Sequence, residues 1–230
     1  MEFTPAGIVL AVAALFTLWC ALYVLTSLAF PDTPKAGRNR FVVTLNIIAT
    51  LGLAVWCEFY KTDPCDNPGA ESNAKETILL INALSGMLYD LFHCCCIGHL
   101  ENLRQFVHHS LVIMMLSTAL ATGRSGSEVV YFLFFAFITL PMNSLLRFMR
   151  YHDMTEHIAY KIVDVTRAVL FLFLRVSVGA YVAYCYIPNP VPHILIRIPA
   201  TAFNVVGLIF AVVNARRVYR QMMQTNQKVE

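Results

Sequence analysis

From Phe3 to Pro31 the chain carries no Asp, Glu, Lys or Arg. A hydrocarbon core about 30 Å thick takes about 20 helical residues to cross, so this run reads as a membrane span. It lacks the short apolar region and small-residue cleavage site of a signal peptide, which makes it a retained first span. Six more such stretches follow. The second is Phe41 to Tyr60, charged only at Glu58, and a polar segment from Lys61 to Lys75 comes after it. The third is about Thr77 to Gly98, the fourth about Gln105 to Ala121, and the fifth Val129 to Leu146. The sixth runs from about Tyr160 to Tyr186 and the seventh from about His193 to Asn214. The fourth is the shortest.

Strands of a membrane barrel would alternate apolar and polar residues over about ten positions, and these runs do not. The expected fold is all-α and polytopic, with about seven transmembrane helices. Composition agrees. Hydrophobic residues make up 58% of the chain and charged residues 13%, against about 45–50% and 25% in a globular domain. A soluble enzyme, a disordered tail and a secreted disulfide scaffold are excluded. So is a nucleic-acid binder, because a net charge of +3 spread over short loops makes no basic patch.

Lys and Arg set the orientation. With seven spans, the loops after spans one, three and five share a side with the C-terminal end. They hold Lys35, Arg38, Arg40, Arg104, Arg147, Arg150, Lys161, Arg216, Arg217, Arg220 and Lys228. The opposite side holds Lys61, Lys75 and Arg124, and three arginines lie within spans. The positive-inside rule then places the C-terminal end in the cytosol and the N-terminal end outside or in a lumen.

Charged groups within a bilayer are costly and face a bundle interior or a wet cavity. Asp90 and His93 fall in the cytosolic half of span three. His108 and His109 lie about 6–8 Å into span four at 1.5 Å per residue. Asn143 is near the cytosolic end of span five, and Asp164 and Arg167 share that layer in span six, with Arg175 deeper. Gly86, Asp90 and His93 are spaced to share one helix face. Asp164 and Arg175 are almost three full turns apart on another, and at least one of the adjacent histidines must enter the interior. Helix-to-helix pairing, such as Asp164 with Arg167 or Asp90 with His108 or Arg175, accounts for any one of these residues. Four helices contributing at one depth favour a lipid-headgroup cavity.

Other chemistries lack their residues. Seven histidines without an H-x-x-H-H spacing do not make a membrane di-iron site, and no metal is expected. No G-x-S-x-G elbow is present, and Gly123-Arg124-Ser125-Gly126-Ser127 reads as a short non-cytosolic turn. Pro141 and Pro199 interrupt spans five and seven, which leaves transport as a weaker alternative. Cys94, Cys95 and Cys96 read as buried small hydrophobes, with palmitoylation at the cytosolic end of span three as the other reading. Cys65 has no disulfide partner in its loop.

Ser85-Gly86-Met87-Leu88-Tyr89-Asp90 in span three, then Val107-His108-His109 opening span four, resembles the TLC domain, the fold of the ceramide synthases. Ser125 to Val129, Thr139-Leu140-Pro141 and Arg147-Phe148 resemble its small TLC domain-containing subgroup. The likeness covers roughly residues 40 to 220. It implies a TLC-type six-helix barrel with an apolar cavity open to the cytosolic leaflet, preceded by one span and loop (1–39) and followed by a short cytosolic tail (221–230). His108 and His109 match the histidine pair that acts on an acyl group in the synthases. The acidic residues of the following span have no counterpart in Phe134-Phe135-Ala136-Phe137-Ile138.

The first expectation is therefore a lipid-binding protein of membrane lipid homeostasis in the endoplasmic reticulum or another endomembrane, with the plasma membrane as the alternative. Tyr89, Asp90, His93, His108, His109, Asn143, Asp164, Arg167 and Arg175 would line its cavity. The alternative is a ceramide-synthase-like N-acyltransferase with His108, His109 and Asp90 as catalytic residues. Acyl-CoA would then be the substrate, with no cofactor. A sorting receptor of the early secretory pathway is weaker still. Membrane lipids are the expected partners, with a second copy of the chain as another candidate.

Overall fold

The computed structural model describes residues 3–61, 63, 65–96, 103–186 and 188–226. Among these the chain is all-α and polytopic. The helices are α1 (Pro5–Ala29), α2 (Lys35–Trp56), α3 (Ala74–Cys96), α4 (Leu103–Thr122), α5 (Gly126–Phe137), α6 (Leu140–Tyr151), α7 (Ile158–Phe173), α8 (Gly179–Tyr186) and α9 (Ile194–Asn226). Six helical stretches are long and apolar enough to cross a membrane, with α5–α6 and α7–α8 each forming one stretch; α4 is a shorter apolar helix. This is an integral membrane protein, and its helices fall on the seven charge-poor runs.

Local chemistry sets the ends. Thr4 accepts a hydrogen bond from Gly7 N ahead of Pro5, which suits a first helical position. Asn73 and Glu76 cap α3 reciprocally, at 3.0 and 2.9 Å. Gly123 and Ser125 both have positive φ and turn the chain from α4 into α5. Two boundaries depart from expectation. α2 begins at Lys35, more than a turn early, and ends at Trp56. Glu58 therefore lies beyond the helix, with φ 57° and an exposed pair to Lys61 at 2.8 Å. The fifth span is broken at Ile138–Thr139, with Pro141 starting the second piece. Pro199 does not interrupt the seventh, which continues as α9.

α3 is the centre of the bundle: 67% of its most apolar window is buried, against 6% for α1. It packs on α1, α2, α4 and α5, while α9 packs on α4, α7 and α8. Leu79, Leu80, Met115, Leu116, Leu133 and Ile196 form the fully buried core. Gly86 lets α2 come close to α3, since a Cβ there would collide with the Asn46 side chain.

At the end opposite Cys96 the loop after α2 is tied down. Ser72 N donates to Gly123 O and Ser125 N to Ala70 O, both at 2.8 Å. Arg124 Nε donates to Gly69 O at 2.9 Å, and Gly69 N donates to the buried Glu128 carboxylate. The turn at 123–127 is thus a clamp on this loop. Cys65 does have a disulfide partner, Cys185 of α8, 120 residues away; a search confined to the loop could not find it. Beside the bond, Tyr181 O–H donates to both oxygens of Asp63 at 2.6 and 2.7 Å. The cysteine triplet also departs from expectation. Cys95 and Cys96 are exposed and Cys94 is half-buried, because α3 turns these positions away from its packed face.

Two outcomes follow. Gly86→Ala should cost about 1–3 kcal/mol, as an overpacked site does, because Asn46 is buried and bonded to Asn82 O. Gly52→Ala, which meets nothing within 4 Å, should not destabilise; thermal unfolding in detergent separates them. The second concerns acid. The Tyr181 hydroxyl, then the Cys65 N–H, hold the Asp63 carboxyl below its ordinary range. A depressed folded pKa gives stability that is present above the unfolded value, about 3.9, and lost as pH falls through the folded one. Tyr181→Phe should therefore move the acid unfolding limb to higher pH, and the gap from wild type should close at the lowest pH.

Candidate functional site

The lower half of α3 carries an unusual density of buried polar groups for a membrane helix. Asp90 and His93 are buried, and Tyr89 is 2% exposed. Helical spacing turns Tyr89 toward the first turns of α2, where its hydroxyl donates to Asn39 Oδ1 at 2.7 Å. The Asn39 amide passes this orientation on, donating from Nδ2 to Asp90 Oδ1 at 3.1 Å. One oxygen of Asp90 is thereby held from α2.

The other faces α4. His109 Nε2 lies 3.2 Å from Asp90 Oδ2, and both side chains are buried. The contact is within ion-pair reach, and the other ring nitrogen, His109 Nδ1, is buried without a hydrogen-bond partner. His93 adds a second such atom, its Nε2, with its ring edge-on to Tyr23 at 5.0 Å and tilted to Tyr89 at 6.3 Å. Two buried imidazole nitrogens without hydrogen bonds thus lie on the two histidines next to one carboxylate. Each buried polar atom left so costs about 1–3 kcal/mol.

The remaining expected residues divide. His108 is exposed on α4, edge-on to Phe203 of α9 at 4.7 Å. Neighbours on a helix point about 100° apart, so only His109 enters the interior. Asp164 and Arg167 are buried and pair within α7, Arg167 donating from Nη2 and Nε to Oδ1 at 2.8 and 3.3 Å. The pair lies within one helix, three residues apart. Asn143 is half-buried on α6, next to Ser144, whose hydroxyl meets Thr44 of α2 at 2.9 Å. Arg175 lies in a π-helical turn, Leu174–Val178, and its side chain is outside the described residues.

Sequence reasoning missed Asn39 and Tyr23. Asn39 sits within Arg38-Asn39-Arg40, which reads as a cytosolic loop but forms the start of α2. Arg40 beside it lies in the combined field of Asp90 and Arg147. This end therefore joins a buried carboxylate, two histidines and nearby arginines.

Among the described residues, none of those expected to line one cavity borders either of two cavities. One of about 20 Å³ is bordered by Phe132, the π turn and Asn204; the other is a larger trough between α1 and α3. Among the described residues, the ligand-type side chains that converge as a set of three are Asp63, Cys65 and Cys185. Two of these are already joined to each other.

An imidazole with a carboxylate at one nitrogen and the other nitrogen unengaged can take or give a proton at that second position. Here that atom is His109 Nδ1. No protein-family model matches this sequence, and no solved structure matches its fold.

Proposed function

We propose that this chain is a TLC-type membrane protein of lipid homeostasis. In this reading it holds a lipid headgroup or acyl carbonyl against the Asp90–His109 pair from the cytosolic leaflet. The observation that carries the reading is the Asp90–His109 pair with two buried nitrogens beside it, His109 Nδ1 and His93 Nε2, that have no hydrogen bond. Intramembrane ionisable groups are functional by default, and polar atoms held ready at this cost suit a polar guest. Arg40 and Arg147 nearby suit an anionic one. The orientation rests on the Lys and Arg count, and the Cys65–Cys185 disulfide supports it. Disulfides persist on the oxidising side of a membrane, and this one lies at the end assigned to the lumen. The compartment is the endoplasmic reticulum or another endomembrane.

The Asp90–His109 geometry also favours a second reading, transfer of an acyl group from acyl-CoA to an amine. Asp90 would fix the ring, and His109 Nδ1 would remove the proton of the attacking amine.

The test is rescue of the lipid profile in cells lacking the protein, with folding followed by size-exclusion chromatography of extracted protein. His109→Ala and Asp90→Asn should fold and leave the profile at the null level, while His108→Ala should restore it. A purely structural pair would instead lose about 3–5 kcal/mol in His109→Ala, which strands a buried carboxylate, and the variant would extract as aggregate. A folded His109→Ala that restores the wild-type profile overturns both readings. Acyl-CoA consumption by purified protein, abolished in His109→Ala, separates the second reading from the first.

A further inference from the structure

Cys95 and Cys96, exposed at the end of α3, border an open trough of about 510 Å³. Its walls are apolar, formed by Val12, Ala13 and Phe16 of α1 and by Leu88, Leu91 and Phe92 of α3, with the Phe16 and Phe92 rings meeting edge-on at 5.8 Å. The two thiols are nucleophiles at one end of a surface that accepts only hydrocarbon. α3 runs from Ala74 to Cys96, which sets these thiols about 32–33 Å along the helix axis from its start, beyond which lies the disulfide-bonded loop. The disulfide lies at the opposite end of the bundle, where Cys57 stays free and half-buried, so the side of the exposed thiols follows from the Lys and Arg count.

We propose that Cys95 or Cys96 is S-acylated by a long-chain fatty acid, and that the attached chain lies in the α1–α3 trough. The thiolate sulfur attacks the carbonyl carbon of a long-chain acyl-CoA. An S–C bond to the acyl carbon forms as the bond from that carbon to the CoA sulfur breaks. CoA leaves and takes up the proton that the cysteine gave up, with no change of oxidation state. Juxtamembrane cysteines are ordinary substrates for this reversible modification, and here the trough supplies a seat for the product. A seated chain covers apolar walls of α1, a largely exposed helix, and adds to the packing that α1 already makes on α3.

The proposal needs the thiols on the cytosolic side, where acyl-CoA is found. The full-length protein in cell membranes is assayed by thioester mass-tagging with and without hydroxylamine. Wild type and Cys94→Ser should show a hydroxylamine-dependent shift, and Cys95→Ser/Cys96→Ser should lose it. In a pulse-chase with an alkyne fatty acid, Ala13→Trp, which fills the trough, should shorten the label's half-life several-fold. Ala14→Trp, exposed outside the trough, should not. No shift in wild type, a shift that survives the double variant, or equal half-lives in the two tryptophan variants would overturn the proposal. In sealed vesicles, an impermeant maleimide should reach the hydroxylamine-released thiols from the cytosolic face. Labelling from the lumenal face alone overturns the orientation, and acylation by acyl-CoA with it, without touching the Asp90–His109 assignment.

Discussion

Helices in lipid have no hydrophobic reason to prefer one another, because acyl chains solvate leucine as well as leucine does; close packing and polar contacts must choose the partners. In this chain the choosing is done by one edge of α3. Asn82 Nδ2 donates to Thr50 of α2 at 3.0 Å, and Trp19 of α1 donates to Ser85 at 3.3 Å. Tyr89 and Asp90 take Asn39 of α2, His93 takes Tyr23 of α1, and Asp90 takes His109 of α4. Of the helices packed on α3, α1, α2 and α4 are each registered by a polar side chain from it. Gly86 between them allows the closest approach. The helix that holds the candidate site is therefore the helix that assembles this half of the bundle, and the two roles share side chains.

That sharing explains which parts were legible. Spans are written in the absence of charge, and absence over 20 residues is a strong local signal, so all seven runs could be placed. Depth followed from topology, and depth brought Asp90 and His109 to one layer. Which residues of that layer touch is a matter of helix rotation and neighbour order, and no local pattern carries it. Asp164 and Arg167 could meet within one helix and do. Arg175 and His108 could have met Asp90 by depth alone. His108 turns to Phe203 instead because its neighbour His109 took the inward direction.

The features that escaped reading depend on distant partners or on context that reverses a local preference. Cys185 lies in an apolar run with nothing to mark it as the mate of Cys65. Glu128 looks like a span-edge acid at the water surface, yet the loop from α2 folds over it and makes it 1% exposed. Asn39 between two arginines has the composition of a loop, but the helix of span two simply begins earlier. The break at Ile138–Thr139 falls in the turn before Pro141, which has no N–H to give to the carbonyl four residues back and whose ring crowds it.

The sixth span joins two halves with different tethers. In its π-helical turn, Leu174–Val178, the backbone ladder carries an extra residue, and a void of about 20 Å³ lies beside it against Asn204, whose amide nitrogen is buried and unbonded. Above this joint, α8 is bolted to the loop by Cys185 and Tyr181. Below it, α7 is held by packing on α6 and α9. One half of the span is thus anchored covalently and the other by side-chain packing alone, and the joint between them has spare volume for about one water molecule. The packed half rests on α9, which in turn packs on α4, the helix that carries His109.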